Sequence, residues 1–356
     1  MQTNATTTRV DADQGRAVAV ISGLMTKARA AQSIYAGFDQ ERVDEVVTAV
    51  AWTLLDPATN RRLAEQAVAD TGLGRVGDKV TKNHRKTLGL LRDLKRARSV
   101  GVIAEYPEKG LVEIARPVGV VGAVVPSTNP IATPYNKTLN ALKGGNAIIL
   151  APSPKGAAVC EEVVALMRGA LRRVGAPEDL VQKLPSPISK AMTYEMMRQV
   201  DLVVVTGSQN NVRAAYTCGT PAIGVGAGNV PTIVDETADL AAAADKIIAS
   251  KTFDNATSCS SENSLIVVGE VYAPMLEALE TRGARLLDAA EKERLRATMW
   301  VDGRLSGRVT AKSADEILDL AAIDRGGRPV SVILVEEDAP DPDSRFSDEK
   351  LSPVLT

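Results

Sequence analysis

The chain has a single histidine, His84, among its 356 residues, and its three cysteines, Cys160, Cys218 and Cys259, lie far apart. With no Cys-x-x-Cys pair and no second histidine, a zinc centre has almost no ligands to draw on, and no metal site is expected. A Ser-His-Asp hydrolase would have to use His84, yet no G-x-S-x-G elbow precedes a helix. An odd number of scattered cysteines fits a reducing compartment and not a disulfide framework. No apolar run approaches the length that spans a bilayer. The opening MQTNATTTRVDADQG is polar where a signal peptide would be apolar, so cytoplasmic residence is expected. The net charge is −2, with acids and bases interspersed, which leaves no electrostatic footprint for nucleic acid or an anionic membrane.

What the sequence does contain is enough length for two domains or one large α/β unit. Apolar residues at helical spacing over 17–31 and 43–55, with Asp39 and Asp56 as start and stop signals, predict helices there. Helical character continues over 61–70, breaks at Gly72, Gly74 and Gly77, and resumes over 79–97. On that last segment Lys82, Asn83, His84, Arg85 and Lys86 form a basic cluster, readable as a solvated face or as the anion-facing wall of a site.

From residue 111 the pattern changes to short β-branched runs alternating with helices. Strands are predicted over 111–115, 118–125, 147–150 and 202–205, and helices over 134–142, 155–172 and from 208 to about Cys218. Such alternation implies an α/β fold, a doubly wound parallel sheet with helices on both faces. Cys160 takes a core-facing position on its helix, and packing at a helix end is the favoured reading of Cys218. Residues 338–343, rich in Pro and Asp, read as a surface loop.

Sheets of this kind bind ligands at the carboxyl ends of their strands. The segments there are Pro126-Ser127-Thr128-Asn129-Pro130, Ala151-Pro152-Ser153-Pro154-Lys155, Thr206-Gly207-Ser208 and Gly224-Val225-Gly226-Ala227-Gly228-Asn229. The glycine segment is not a dinucleotide fingerprint, because Pro231 and a strand over 232–234 follow it where a helix should open. Thr206-Gly207-Ser208 is the better phosphate candidate, since it leads into a helix whose free N–H groups can meet an anion; an ordinary tight turn is the alternative. Next comes TFDNATSCSSENS, residues 252–264, between a helix over 240–250 and a strand over 265–268. A thiol in a polar helix-to-strand loop can be exposed yet fixed, as a nucleophile must be, although a lone cysteine also reads as a small turn residue.

Together RPVGVVGAVVPSTNP, VTGS, PAIGVGAGN and TFDNATSCSSENS resemble the aldehyde dehydrogenase superfamily, nearest its CoA-acylating branch, over almost the whole chain. The resemblance implies a cofactor-binding domain over residues 1–236 and a catalytic thiol domain over 237–356. It also implies longer relatives, so that the catalytic domain is expected to be incomplete at its C-terminus, and a homo-oligomer, dimer or tetramer, at full length. Cys259 corresponds to the catalytic thiol, Asn129 to the side-chain donor of the oxyanion hole and Lys137 to a lysine near the active site. Glu349 matches the carboxylate that holds the nicotinamide ribose. Ser153, Lys155, Thr206, Gly207, Ser208, Gly224 and Gly226 fall at the cofactor, NADP or NAD.

Two departures refine this. Hydrolytic members carry E-L-G-G-K, whose glutamate activates water, where this chain has residues 224–229; coenzyme A is therefore the expected acyl acceptor. They also place a lysine and a glutamate where this chain has Ala151 and Pro154, which leaves NADP permissible, with Lys155 readable as its partner or as a solvated residue at a helix start. Among acylating members, VTKNHRKTLGLLRDL with TFDNATSCSSENS most resembles those acting on sulfoacetaldehyde, whose sulfonate needs a cation; His84 and Arg85, with Lys82, are the candidates. Acetaldehyde or propionaldehyde as substrate, an acyl-phosphate reductase of the same fold and a non-catalytic assembly subunit stay open.

Overall fold

Five strands, Val181–Lys183 (β5), Ala147–Pro152 (β4), Val120–Val125 (β3), Leu202–Thr206 (β6) and Ala222–Val225 (β7), line up in parallel in that order. The computed structural model describes residues 2–337 and 344–356, with side-chain surroundings from residue 13 onward. The loop expected over 338–343 lies outside the described residues. The chain divides into two compact units, residues 1–72 with 79–226, and residues 73–78 with 227–356, so the expected cut at 236/237 stands beside an observed one at 226/227.

The first unit opens with α1 (Gln2–Tyr35), α2 (Gln40–Leu55), α3 (Pro57–Thr71) and α4 (Val76–Leu94). Asp39 caps α2 by accepting the Arg42 N–H at 2.9 Å, and Asp56 caps α3 through Thr59 N–H at 2.8 Å. Gly72, at φ 67°, ends α3 in the left-handed conformation that glycine takes without strain. Then come β1 (Gly101–Tyr106), β2 (Leu111–Ala115), β3 (Val120–Val125), α5 (Ala132–Lys143), β4 (Ala147–Pro152), α6 (Ala157–Arg173) and β5 (Val181–Lys183). They are followed by α7 (Lys190–Gln199), β6 (Leu202–Thr206), α8 (Gln209–Thr217) and β7 (Ala222–Val225).

Every residue of β3 and β4 is buried, as expected for central parallel strands covered on both faces. Gly122 lets α7 approach β3, because a Cβ there would stand 2.9 Å from Val200. The segment 111–115, counted among the alternating strands, instead pairs antiparallel with β1 as a separate hairpin. The reason is local: the turn at 107–110 is too short for the crossover that a parallel partner requires.

The second unit contains β8 (Pro231–Val234), α9 (Leu240–Thr252), β9 (Ser264–Val267), α10 (Gly269–Glu280), β10 (Ala284–Leu286) and α11 (Ala289–Met299). It continues with β11 (Trp300–Val301), β12 (Arg304–Leu305), α12 (Ala314–Leu320), β13 (Val332–Leu334) and β14 (Val354–Leu355). Its sheets are small: β8 with β9, and β10-β13-β14, both parallel, beside the β11-β12 hairpin. Among the described residues no helix is long and apolar enough to cross a membrane.

Candidate active site

The thiol loop begins where α9 ends. Asp254, Asn255 and Ala256 follow one another at φ 50°, 51° and 57°, a left-handed run of non-glycine residues that persists only if its surroundings hold it. Those surroundings are specific. Asp254 is fully buried; its carboxylate accepts the Arg75 N–H at 2.7 Å and the Thr257 hydroxyl at 2.6 Å, and its own N–H donates to Asp78 at 2.9 Å. The Asn255 amide donates to the Ala311 carbonyl at 2.9 Å, and the Ala311 N–H donates to the Leu351 carbonyl at 2.8 Å. The N–H and hydroxyl of Ser261 then close a turn onto the Ser258 carbonyl at 3.0 and 2.9 Å. Cys259 sits inside that turn and is exposed, as a nucleophile must be.

Around the thiol is a small cleft whose lining includes Gly228, Lys251, Cys259, Asn263 and Glu349. Gly228 lies against the Cys259 backbone: a Cβ there would be 3.0 Å from the Cys259 carbonyl and 3.5 Å from the Glu349 carboxylate, so only glycine fits without a shift. Glu349 is the one carboxylate in the lining. Burial raises its pKa, and the Gly228 N–H and the Lys251 ammonium oppose that rise. Lys251 is itself buried, which lowers its pKa to about 8 against the opposing charges of Glu262 and Glu349. Burial and the charge of Lys251 bring Lys350 down to about 6, against the opposing charges of Asp348 and Glu337, and its ammonium-bearing end reaches the Phe346 carbonyl.

Asn263 ties this cleft together. Its amide donates to Asn229 at 3.0 Å and to the Asp348 carbonyl at 2.7 Å, while its side-chain oxygen accepts the Lys350 N–H at 3.3 Å. It thus joins the glycine segment to the backbone that carries Glu349.

In the first unit, strand order reverses between β3 and β6, so the loops at the carboxyl ends of these strands flank the crevice where such sheets bind ligands. Lys137, on α5, donates to the Val124 carbonyl at 2.6 Å and the Val204 carbonyl at 2.9 Å, stapling β3 to β6 at that crevice. Desolvation lowers its pKa to about 7. Asn129 lies in the loop after β3. Its side-chain oxygen accepts from Lys82 at 3.0 Å and its amide nitrogen donates to the Thr128 hydroxyl at 3.3 Å. Ser208 caps α8 by accepting the Asn211 N–H at 3.4 Å, which sets Thr206-Gly207-Ser208 at a helix N-terminus. A Cβ on Gly224 would collide with Tyr216 and Val212, so a glycine is needed where the chain passes α8, whereas at Gly226 only the amide end of the Gln209 side chain would have to move.

The turn after β4 fits a ribose. The Ser153 hydroxyl is buried there without a hydrogen-bond partner, a polar atom waiting for one, and Lys155 is exposed beside it. If that lysine meets a 2'-phosphate, Lys155→Glu is expected to raise the KM for NADP about tenfold and leave that for NAD nearly unchanged. Equal effects on both cofactors in steady-state kinetics would remove the assignment.

Residues 6–299 match the Aldehyde dehydrogenase family. The chain belongs to that family. A sulfoacetaldehyde dehydrogenase (acylating) of Cupriavidus necator is 58% identical over 341 residues, covering 96% of this chain and 69% of that one. Among solved structures, an acetylating aldehyde dehydrogenase of Geobacillus thermoglucosidasius superposes with a TM-score of 0.91 at 35% identity, over 96% of this chain and 75% of that one. The Rhodopseudomonas palustris propionaldehyde dehydrogenase with bound propionyl-CoA gives 0.82 at 29% identity, over 94% and 74%.

The basic cluster on α4 divides in two. His84, Arg85 and Lys86 are exposed, whereas Lys82 and Asn83 are buried, so Lys82 faces Asn129 and not solvent. Cys160 is buried on α6 and its pKa is pushed up to about 12 by desolvation. The Cys218 thiol donates to the Ala215 carbonyl at the end of α8. Sequence reasoning missed Lys251, Asn263 and the hydrogen bond from Lys82 to Asn129. Only the last left a signal: Lys79 and Lys82 are three apart, hence on one helical face, and both are buried.

Proposed function

We propose that the chain is an NAD(P)-dependent, CoA-acylating aldehyde dehydrogenase that converts sulfoacetaldehyde to sulfoacetyl-CoA. The observation that carries this reading is the cleft of the exposed Cys259, where Gly228, from a segment 224–229 that holds no carboxylate, lies against the thiol-bearing backbone.

The Cys259 thiolate attacks the aldehyde carbon and the carbonyl oxygen becomes an oxyanion. Asn129 and the Cys259 N–H donate to that oxyanion; one donor of this kind is worth about 3 kcal/mol in the transition state. A nicotinamide held here would supply the acceptor for the hydride that leaves the thiohemiacetal carbon, which leaves a thioester on Cys259. With no general base for water, the CoA thiolate attacks the thioester carbonyl and expels the Cys259 thiolate. Glu349 would accept from the nicotinamide ribose, Thr206, Gly207 and Ser208 would meet the phosphates, and Ser153 and Lys155 would hold the adenosine ribose. Arg85, with His84 next to it and both exposed on α4, is assigned to the sulfonate. The first unit is the cofactor domain in this reading, and the enzyme works in the cytoplasm as a homo-oligomer. In support of assembly, the β1-β2 hairpin exposes Val102, Leu111, Val112 and Ile114.

The test is a panel of aldehydes assayed with and without CoA, reading reduced cofactor. Reduction that requires CoA and is fastest on sulfoacetaldehyde is expected. Reduction without CoA indicates hydrolysis, and preference for acetaldehyde or propionaldehyde would move the substrate. In the same assay Arg85→Ala is expected to slow sulfoacetaldehyde selectively; equal loss on acetaldehyde removes Arg85 from the pocket.

A further inference from the structure

Asn129 works as an oxyanion donor only if its amide nitrogen, and not its oxygen, faces the substrate. The two ends of an asparagine amide are nearly the same in size and shape, and their hydrogen-bond partners decide which is which. Here they do. Lys82 is 4% exposed, and its Nζ lies 3.0 Å from the Asn129 side-chain oxygen. An ammonium has three donors and no lone pair, so it can accept nothing; the oxygen of Asn129 must turn toward it. The nitrogen is thereby turned the other way with two N–H donors, of which one reaches the Thr128 hydroxyl at 3.3 Å and the second remains for a ligand.

The helix that delivers this lysine is itself anchored. One turn earlier on α4, Lys79 donates to the Thr128 carbonyl at 3.2 Å, so two buried lysines hold adjacent residues of one loop. The neighbouring Asn83 donates to the Asn60 side chain at 2.9 Å, and Asn60 donates to the Val80 carbonyl at 3.0 Å, which fixes α4 against α3. Taking an ammonium out of water is costly unless strong acceptors replace the water, which argues for a specific task and against an incidental position.

We propose that Lys82 is a positioning residue that fixes the side-chain amide of Asn129 with its nitrogen presented as the oxyanion donor. The proposal rests on the reading of Asn129 given above. It also moves Lys82 away from the sulfonate, to which its basic neighbours had drawn it.

A double-mutant cycle on the purified protein separates the two. Asn129→Ala is expected to lower kcat by about 10²-fold or more. Lys82→Met, which keeps the length of the stem, is expected to lower kcat about tenfold with the KM for NADP unchanged, because a freed amide spends part of its time flipped. In the Asn129→Ala background Lys82→Met should have almost no further effect on kcat, since the residue it orients is gone. Lys82→Gln, whose amide can still donate, should recover part of the rate, and it carries the same cycle if the methionine variant does not fold. An undiminished kcat in Lys82→Met, or the same loss in both backgrounds, overturns the positioning role. Full activity in Asn129→Ala overturns the reading beneath it instead.

Discussion

Replacing Cys259 by alanine is expected to slow aldehyde-dependent cofactor reduction at least about 10⁴-fold, the loss typical of removing a covalent nucleophile. The reason is chemical and not structural. Cys259 is exposed, so the truncation removes little packing and the melting temperature should stay within about 2 °C of the parent. Cys160 cannot take its place, because it is buried and its thiol is held almost entirely protonated at neutral pH. Cys259→Ser should fail as well, since a serine hydroxyl is far less acidic and less nucleophilic than a thiol. Rapid mixing with aldehyde and NADP in the absence of CoA should give a single-turnover burst in the parent and none in either variant. A burst that survives in Cys259→Ala would place the acyl group elsewhere and end the thioester mechanism.

The second large effect is expected at a residue that touches no substrate. Asp254→Ala should destabilise the second unit by about 3 kcal/mol, seen in calorimetry as a fall of about 6–12 °C in its transition. Three causes add up. The Arg75 N–H and the buried Thr257 hydroxyl lose their acceptor. A β-carbon without a polar group then sits at φ 50°, where aspartate and asparagine are tolerated better than alanine. The Asn255 and Ala256 that follow also hold positive φ, so the run relaxes as a unit. Because Cys259 lies only a few residues on, kcat should fall about 10²-fold with the misplaced thiol, and alkylation of Cys259 by iodoacetamide should change rate. Asp254→Asn keeps the shape and the tolerance for a left-handed backbone, and should recover much of the melting temperature. An unchanged transition in Asp254→Ala would mean that the loop is held by something other than this carboxylate.

The elements of the first unit were legible because their causes are local. A central parallel strand must be apolar throughout, and β3, β4 and β6 are; a helix start needs a side-chain acceptor, and Asp39 and Asp56 supply one. The hairpin of β1 with β2 was less legible. Its residues are mostly exposed and its β-branched pattern looks like that of any strand, so its partner had to come from the length of the turn. In the second unit the strands are only two to four residues long, too short for a period to be counted.

By itself the sequence determined the alternation of strands and helices, the order of the loops at the strand ends and the place of Cys259 in a polar turn, because each depends on residues near in the chain. Tertiary structure alone decided which groups act on one another. Asn263 reaches Lys350 across 87 positions, Lys82 reaches Asn129 across 47, and Asp254 meets Arg75 across 179. No periodicity or spacing encodes such pairs. They arise when buried polar groups, brought together by folding, must find partners or carry the full penalty of desolvation.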